Sequence, residues 1–296
     1  MHINRIFINT YRYDFDHAKI CIASIRYWYP DIPIYLIKDY GKGDPLSRKA
    51  ERWWNIKTLK LTRKKFNWGY GKLEPLFLDS NECFLILDAD TVITGPVLDI
   101  VANIESDFVV DDEVQSKERF NEIYYNLDRI NEIEDTFIYP GYSFNTGQWF
   151  GKTGVLERKD FELTLNWSDP PSTKYPQIIF NNDQTHLNFV IHLYEQQNKL
   201  KVTRLKLMIW PKLGNADFID LNNIKKKEGS YPFVIHWAGM KFNSITSYPR
   251  ADILLFYRNY FYSNQSQITK KIDFFIAAYL RIENKVKNFF KSKFLS

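Results

Sequence analysis

The stretch of this sequence that most restricts its fold is Cys83–Leu87, CFLIL, an unbroken apolar run that passes directly into Asp88-Ala89-Asp90. An extended segment with no polar alternation must be covered on both faces. That is the habit of strands in parallel sheets flanked by helices. The rest of the first hundred residues obeys the same grammar. Ile3–Ile8 reads as a strand, Ala18, Cys21, Ile25 and Trp28 recur at helical spacing, PIYLI (33–37) is a second strand, and LEPLFL (73–78) begins inside a short helix. These alternations predict an α/β fold with a mixed, mainly parallel central sheet and helices on both faces. Further strands are expected at Phe108–Val110, Phe144–Phe150, Val202–Ile209 and Phe233–Trp237. The polar, acidic segment 111–137 reads as an insertion or lid. With 296 residues, 45% of them hydrophobic, and no internal repeat or low-complexity linker, one domain is expected over 1–250, followed by a helical tail over 251–296.

Several classes of function are disfavoured at once. No glycine precedes Gly41, so the turn after the first strand cannot be a Gly-rich phosphate loop, and GYGKLE around Lys72 lacks the spacing and hydroxyl of a Walker A loop. The formal charge is +5, yet residues 268–296 carry seven Lys/Arg against two Asp/Glu, leaving 33 against 33 elsewhere. A nucleic-acid binder would carry its basic surface on the folded domain, so no nucleic-acid partner is expected. The longest wholly apolar run, Phe274–Leu280, is far short of the roughly 20 residues of a membrane-spanning helix. The first residues lack a cationic segment leading into an apolar stretch, which predicts a cytoplasmic protein. Cys21 and Cys83 sit in apolar surroundings and read as core thiols.

Chemistry is expected where the buried strand ends. In open α/β sheets ligands bind beyond the carboxyl ends of the strands, which is where Asp88 and Asp90 stand. Two acids separated by one small residue can turn toward one hard divalent cation, Mn²⁺ or Mg²⁺, which in turn neutralises a diphosphate.

Three later segments join this motif in order: FNTGQWFG (144–151), NNDQTHLNFVI (181–191) and VIHWAGMK (234–241). Together they resemble the GT-A nucleotide-sugar glycosyltransferases, in particular the glycogenin and bacterial lipopolysaccharide galactosyltransferase group, family 8, over roughly residues 2–245. The resemblance implies that Asp88, Asp90 and His236 ligate the cation, that Gly239 and Lys241 approach the donor diphosphate, and that Asp88 and Ala89 face the donor. Phe242 and Asn243 stand where that group usually continues with Pro-Trp. Asn145, Thr146 and Gly147, at the start of the expected strand, correspond to sugar-contacting positions. Asp183 and Gln184 correspond to positions beside the anomeric carbon, although Asp183 also reads as a helix N-cap. Lys72 resembles a basic residue that contacts the donor, and Asn9, Thr10 and Asp39 fall where that group binds the nucleoside. His17, His186 and His192 have no ligand-type neighbours at suitable spacing and read as structural.

The tail is a separate feature. Ile272, Phe275, Ile276, Tyr279, Ile282, Val286, Phe289 and Phe290 recur at helical spacing beside Lys271, Lys285, Lys287 and Lys291. A Phe-rich cationic amphipathic helix predicts attachment to an anionic membrane surface, at the inner face of the plasma membrane. Docking of the helix on the domain is the competing expectation. The resemblance therefore implies metal-dependent transfer of a hexose from a nucleotide sugar, a uridine one, to a glycan or lipid-linked acceptor in surface polysaccharide or lipopolysaccharide synthesis, with retention of configuration. The alternatives are an inverting enzyme with Asp183 as base, a sugar-1-phosphate nucleotidyltransferase, and a non-catalytic carbohydrate-binding protein.

Overall fold

The computed structural model describes residues 1–61, 63–67, 69–228, 231–240 and 244–294, with backbone alone for 213 and 291–294. The amino-terminal half supplies β1 (Ile3–Tyr11), α1 (Phe15–Trp28), β2 (Ile34–Asp39), α2 (Arg48–Trp53), β3 (Lys57–Thr58), a 3₁₀ turn at Tyr70–Phe77, β4 (Cys83–Asp88), β5 (Thr91–Ile93), α3 (Val97–Val101), β6 (Phe108–Val110) and α4 (Lys117–Ile123). The remainder supplies β7 (Gln148–Lys152), the short pair β8 (Leu165–Asn166) and β9 (Ser172–Thr173), α5 (Asp183–Gln196), β10 (Val202–Arg204), β11 (Met208–Ile209), α6 (Leu221–Lys226), β12 (Val234–His236), α7 (Ala251–Phe261) and α8 (Gln267–Phe294).

The main sheet has the order β10-β6-β7-β4-β1-β2-β3. β7 pairs antiparallel with both β4 and β6, and the other pairings are parallel, so β7 alone runs against its neighbours. The apolar run of β4 explains its central place. Leu85 and Leu87 project into one core cluster with α1, β5, β12 and α7, whereas Phe84 and Ile86 project into a second with α5 and the aromatic segment 120–149. β1 divides its side chains in the same way, Ile6 and Ile8 to one face and Phe7 to the other.

Three sequence expectations shift. The strand expected from Phe144 starts only at Gln148, because Asn145 and Gly147 form a tight side-chain-stabilised turn (Gly147 N–H to Asn145 Oδ1, 2.8 Å). The strand expected over 202–209 is two strands, since Leu207 and Met208 donate their amides to buried Asp111 and the chain crosses into a small sheet, β11-β12-β5. Segment 111–137 carries most of its charges outward, Asp111 excepted, but Phe120, Tyr124, Tyr125, Ile130 and Phe137 are buried in the second core, so it forms a packed layer over the sheet.

The carboxyl-terminal helices differ from each other. α7 buries Ile253, Leu254, Tyr257 and Phe261 against α1. α8 docks by a narrow stripe, Asp273, Ala277, Leu280 and Asn284, while Phe275, Tyr279, Ile282 and Phe289 on its other side are more than half exposed. The docking expectation thus holds for one face of this helix, while its other face leaves apolar side chains in solvent.

Candidate active site

Sheet topology assembles the site from distant parts of the chain. β4 ends at Asp88, the chain turns through Ala89 and Asp90, and β5 pairs antiparallel with β12, with Thr91 opposite His236. The turn is fixed by backbone and side chain together. Asp88 N–H donates to Gly147 O (2.8 Å), Thr91 Oγ1 to Asp88 O (2.7 Å) and Trp237 N–H to Asp90 O (3.0 Å). As a result His236 Nε2 lies 3.4 Å from Asp90 Oδ1 and 3.8 Å from Asp88 Oδ2, and one ligand atom from each residue falls within 4.8 Å of the others.

Gly147 makes room for this arrangement. A Cβ there would stand 2.3 Å from His236 Cε1 and 2.6 Å from Nδ1, so the imidazole lies directly over the glycine. Trp210 stacks on the ring, at 5.0 Å and 27°, and is itself held by Nε1–H donation to Glu113 Oε1 (2.9 Å).

Lys72 occupies the other flank. Its Nζ is 3.2 Å from Asp88 Oδ1 and 3.0 Å from Asp183 Oδ2, and donates to Thr146 Oγ1 (3.0 Å) and Thr146 O (3.2 Å). Burial acts to depress its pKa, but the facing charges of Asp183 and Asp88 outweigh it and the ammonium is held above its ordinary value. Burial raises the Asp183 carboxyl, opposed by Lys72 and reinforced by Asp88. Lys72, Asp90, Asp183 and His236 are each at most 4% exposed. Lys72 is thus shared by two carboxylates, Asp88 and Asp183, while Asp90 faces His236. A divalent cation bound there would offset the charge of the two acids. Two oxygen donors and one imidazole nitrogen around a common point fit Mn²⁺ or Mg²⁺.

Three adjoining cavities run past this cluster. One of 600 Å³ is lined by Asn9, Tyr11, Asp39, Gly41, Lys42 and Asn67 and ends on Lys72, Asp88 and Asp183. A middle one of 300 Å³ holds Asp88, Asp90, Asn145, Thr146, Gln184 and Gly239. A third, of 440 Å³, continues past His236 to Trp210, Glu113, Arg119 and Tyr124.

Most residues expected at the site lie together on these walls. Asn145 donates to Gln184 Oε1 (2.7 Å), tying the Asn-Thr-Gly turn to the first turn of α5. Asp39 accepts the amides of Gly41 (2.8 Å) and Asn67 (3.1 Å), so it shapes the wall of the largest cavity as well as lining it. Gly239 has a left-handed backbone (φ +77°) with open space where a side chain would stand. Two expected residues point elsewhere. Thr10 is buried, donating to Asp14 Oδ1 (2.7 Å), and lines none of the three cavities. Ala89 is buried in the first core cluster beneath the loop. The N-cap of α5 is Asn182, whose Oδ1 accepts Thr185 N–H (2.8 Å), which leaves Asp183 in the first turn, facing Lys72. Lys241 lies outside the described residues.

The histidines outside the cluster are engaged as expected of structural residues. His186 pairs with Thr164 Oγ1 and His192 with Tyr125 OH (both 2.8 Å), and burial lowers each imidazole to about 3. Cys21 is fully buried and its thiol is pushed up to about 12, whereas Cys83 is only partly buried.

Sequence reasoning missed Gly69, Trp210 and Glu113. Gly69 adopts φ +83°, and a Cβ there would stand 2.2 Å from Asp183 Oδ1. Its only signal was its place in the Asn67-Trp68-Gly69-Tyr70-Gly71 run, where Asn and Gly alternate with aromatics. Trp210 and Glu113 come from segments with no local mark of the site.

No family model and no curated protein sequence matches the chain significantly. Solved structures do match. The chain is similar to the WbbM bifunctional glycosyltransferase (TM-score 0.56, 13% identity, covering 87% of this chain and 50% of that one). It is also similar to the galactosyltransferase LgtC in complex with donor and acceptor sugar analogues (TM-score 0.53, 15% identity, covering 86% and 95%). A third likeness is to GlyE, a glycosyltransferase of Streptococcus pneumoniae TIGR4 (TM-score 0.54, 14% identity, covering 86% and 60%). The chain therefore spans about half of WbbM and nearly all of LgtC. The fold is that of the GT-A glycosyltransferases, the lipopolysaccharide galactosyltransferase group included.

Proposed function

We propose that this protein is a glycosyltransferase that moves a hexose from a nucleoside diphosphate sugar, a uridine one, to a glycan or lipid-linked acceptor in surface polysaccharide or lipopolysaccharide synthesis. The observation that carries the reading is the meeting of Asp88, Asp90 and His236 at the junction of the three cavities. Asp88, Asp90 and His236 would hold Mn²⁺ or Mg²⁺, which when bound supplies charge neutralisation to a diphosphate and to its departure. Tyr11 offers an aromatic face in the largest cavity for a base, while Asn9 and Asp39 offer polar groups for a nucleoside. Asn145, Thr146 and Gln184 line the middle cavity with the amides and hydroxyl suited to sugar hydroxyls, and Lys241 is proposed to approach the diphosphate. The acceptor would enter from the side of Trp210, whose indole suits a sugar face.

Retention is the preferred stereochemistry. An inverting enzyme needs a carboxylate base facing the acceptor, and Asp183 is enclosed and paired with Lys72. That geometry suits electrostatic stabilisation of a cationic anomeric centre better than proton abstraction.

The tail reading rests on α8. No helix among the described residues is long and apolar enough to cross a membrane. The exposed Phe275, Tyr279, Ile282, Val286 and Phe289 with neighbouring lysines support peripheral attachment to an anionic bilayer. The proposed division is a catalytic unit over 1–250 with an attachment tail over 251–296, α7 fastening the two.

The test is release of UDP from a panel of UDP-sugars with Mn²⁺ or with EDTA. Metal-dependent release supports the reading. Release of pyrophosphate from UTP and a sugar 1-phosphate would identify a nucleotidyltransferase instead, and binding without turnover a carbohydrate-binding protein.

A further inference from the structure

A further cavity, of 470 Å³, lies away from the three just described, between α8 on one side and α1 and α2 on the other. Its volume falls within the roughly 300–1,000 Å³ typical of small-molecule sites. Its apolar lining is made by Phe15, Trp53, Phe261 and Leu280, with the more exposed Ile276 at its edge. Its rim is cationic: Arg12, Lys19, Arg48, Lys49 and Arg281 stand around it, against three carboxylates, Asp16, Asp44 and Asp273.

The rim pairs are loose or shared. Lys19 and Lys49 both lean on Asp273 (3.2 and 3.4 Å), and Arg281 reaches Asp16 at 3.6 Å. Arg12 reaches Glu283 at 3.4 Å, but that carboxylate is already engaged by Lys287 at 2.6 Å. Arg48 is exposed and has no carboxylate partner among the described residues. An excess of positive charge at the mouth of an apolar slot is complementary to an amphiphile with an anionic head and a hydrocarbon chain.

The slot also opens in the right place. Ile276 lines it and is 36% exposed, next to the outward apolar face formed by Ile272, Phe275 and Tyr279. Ile276 thus joins that exposed apolar face to the cavity.

We infer that the cleft between α8 and α1/α2 is a binding site for one anionic phospholipid, the phosphate on Arg48, Lys49 and Arg12 and one acyl chain along Phe15, Trp53, Phe261 and Leu280. Attachment is then selective for lipid headgroup and not merely for negative surface charge. The inference stands whether or not the chain transfers a sugar.

The experiment is native mass spectrometry and calorimetry of the full chain with dihexanoyl phosphatidylglycerol below its micellar concentration. Dihexanoyl phosphatidylcholine, farnesyl phosphate and inorganic phosphate serve as comparison probes. The phosphatidylglycerol should bind one to one, at least tenfold tighter than the phosphatidylcholine and tighter than phosphate alone. Arg48→Glu, an exposed change, should weaken it at least tenfold while leaving UDP release from a UDP-sugar unchanged. Ile276→Trp should abolish it by closing the mouth, with unchanged circular dichroism. Equal binding of the two phospholipids, or full binding by Arg48→Glu, would overturn the site. Farnesyl phosphate binding tenfold tighter than phosphatidylglycerol would overturn the phospholipid as occupant in favour of an isoprenoid carrier.

Discussion

Replacing Gly147 by alanine tests the metal reading without touching any proposed ligand. The backbone at Gly147 lies outside the left-handed region, so alanine is not excluded by φ and the effect is steric. The added Cβ would sit 2.3 Å from His236 Cε1 and 2.8 Å from Asn145 Oδ1. To reach the ~3.5 Å of ordinary contact the imidazole must retreat by about 1 Å. Trp210, stacked on the ring at 5.0 Å, restricts its movement. Overpacking of this kind costs about 1–3 kcal/mol of stability. Displacing one of three ligands should weaken Mn²⁺ binding about 10–100-fold, in line with losses seen when the support of a metal ligand is removed. That corresponds to about 1.4–2.7 kcal/mol. Paramagnetic resonance of free Mn²⁺ during titration measures the affinity directly. In a cycle with His236→Ala the two losses should not add, because both act through one ring. Unaltered Mn²⁺ affinity in Gly147→Ala, or fully additive losses, would refute His236 as a ligand.

Asp90→Asn should leave thermal stability within about 1 kcal/mol of the parent, since the amide is isosteric, and abolish metal-dependent UDP release. Normal turnover at ordinary Mn²⁺ concentration would remove Asp90 from the metal set. Asp183→Asn should lower turnover without eliminating it, and proton NMR of the first-formed glycoside should show an α-linked product from an α-linked donor. A loss of ~10²–10⁴-fold with a strong pH dependence, together with a β-linked product, would mark Asp183 as a general base. Trp210→Phe keeps a ring over His236 but loses the hydrogen bond to Glu113, and should retain most Mn²⁺ affinity. Trp210→Ala should lose about tenfold, and equal affinities in the two variants would show that the stack does not position His236.

The legible and illegible parts of this structure separate along a physical line. β4 could be read from CFLIL because burial on both faces leaves no choice of residue, and the two core clusters divide its side chains as that run implies. α5 was readable from its apolar spacing, but its cap was not: Asn182 and Asp183 are both competent, and only the position of Lys72 decides which turns inward. Likewise Thr10 and Asn9 are adjacent on β1, and strand alternation sends one to the cavity and the other to Asp14. The β5–β12 pairing that carries His236 to the acidic turn joins residues more than 140 positions apart. Nothing local encodes it, and resemblance of motif order supplied what periodicity could not. Trp210 and Glu113 were invisible for the same reason, since their roles exist only once β11 lies beside β12.

The central claim is a divalent cation held between β4 and β12 against a nucleotide. Anomalous scattering at the manganese edge, from crystals soaked with Mn²⁺ and UDP, tests it most directly. One peak is predicted within bonding distance of Asp88, Asp90 and His236 Nε2, with the diphosphate on its open side and the uridine toward Asn9, Tyr11 and Asp39. A peak elsewhere, or UDP bound in the 600 Å³ cavity with no manganese at that cluster, would contradict the account.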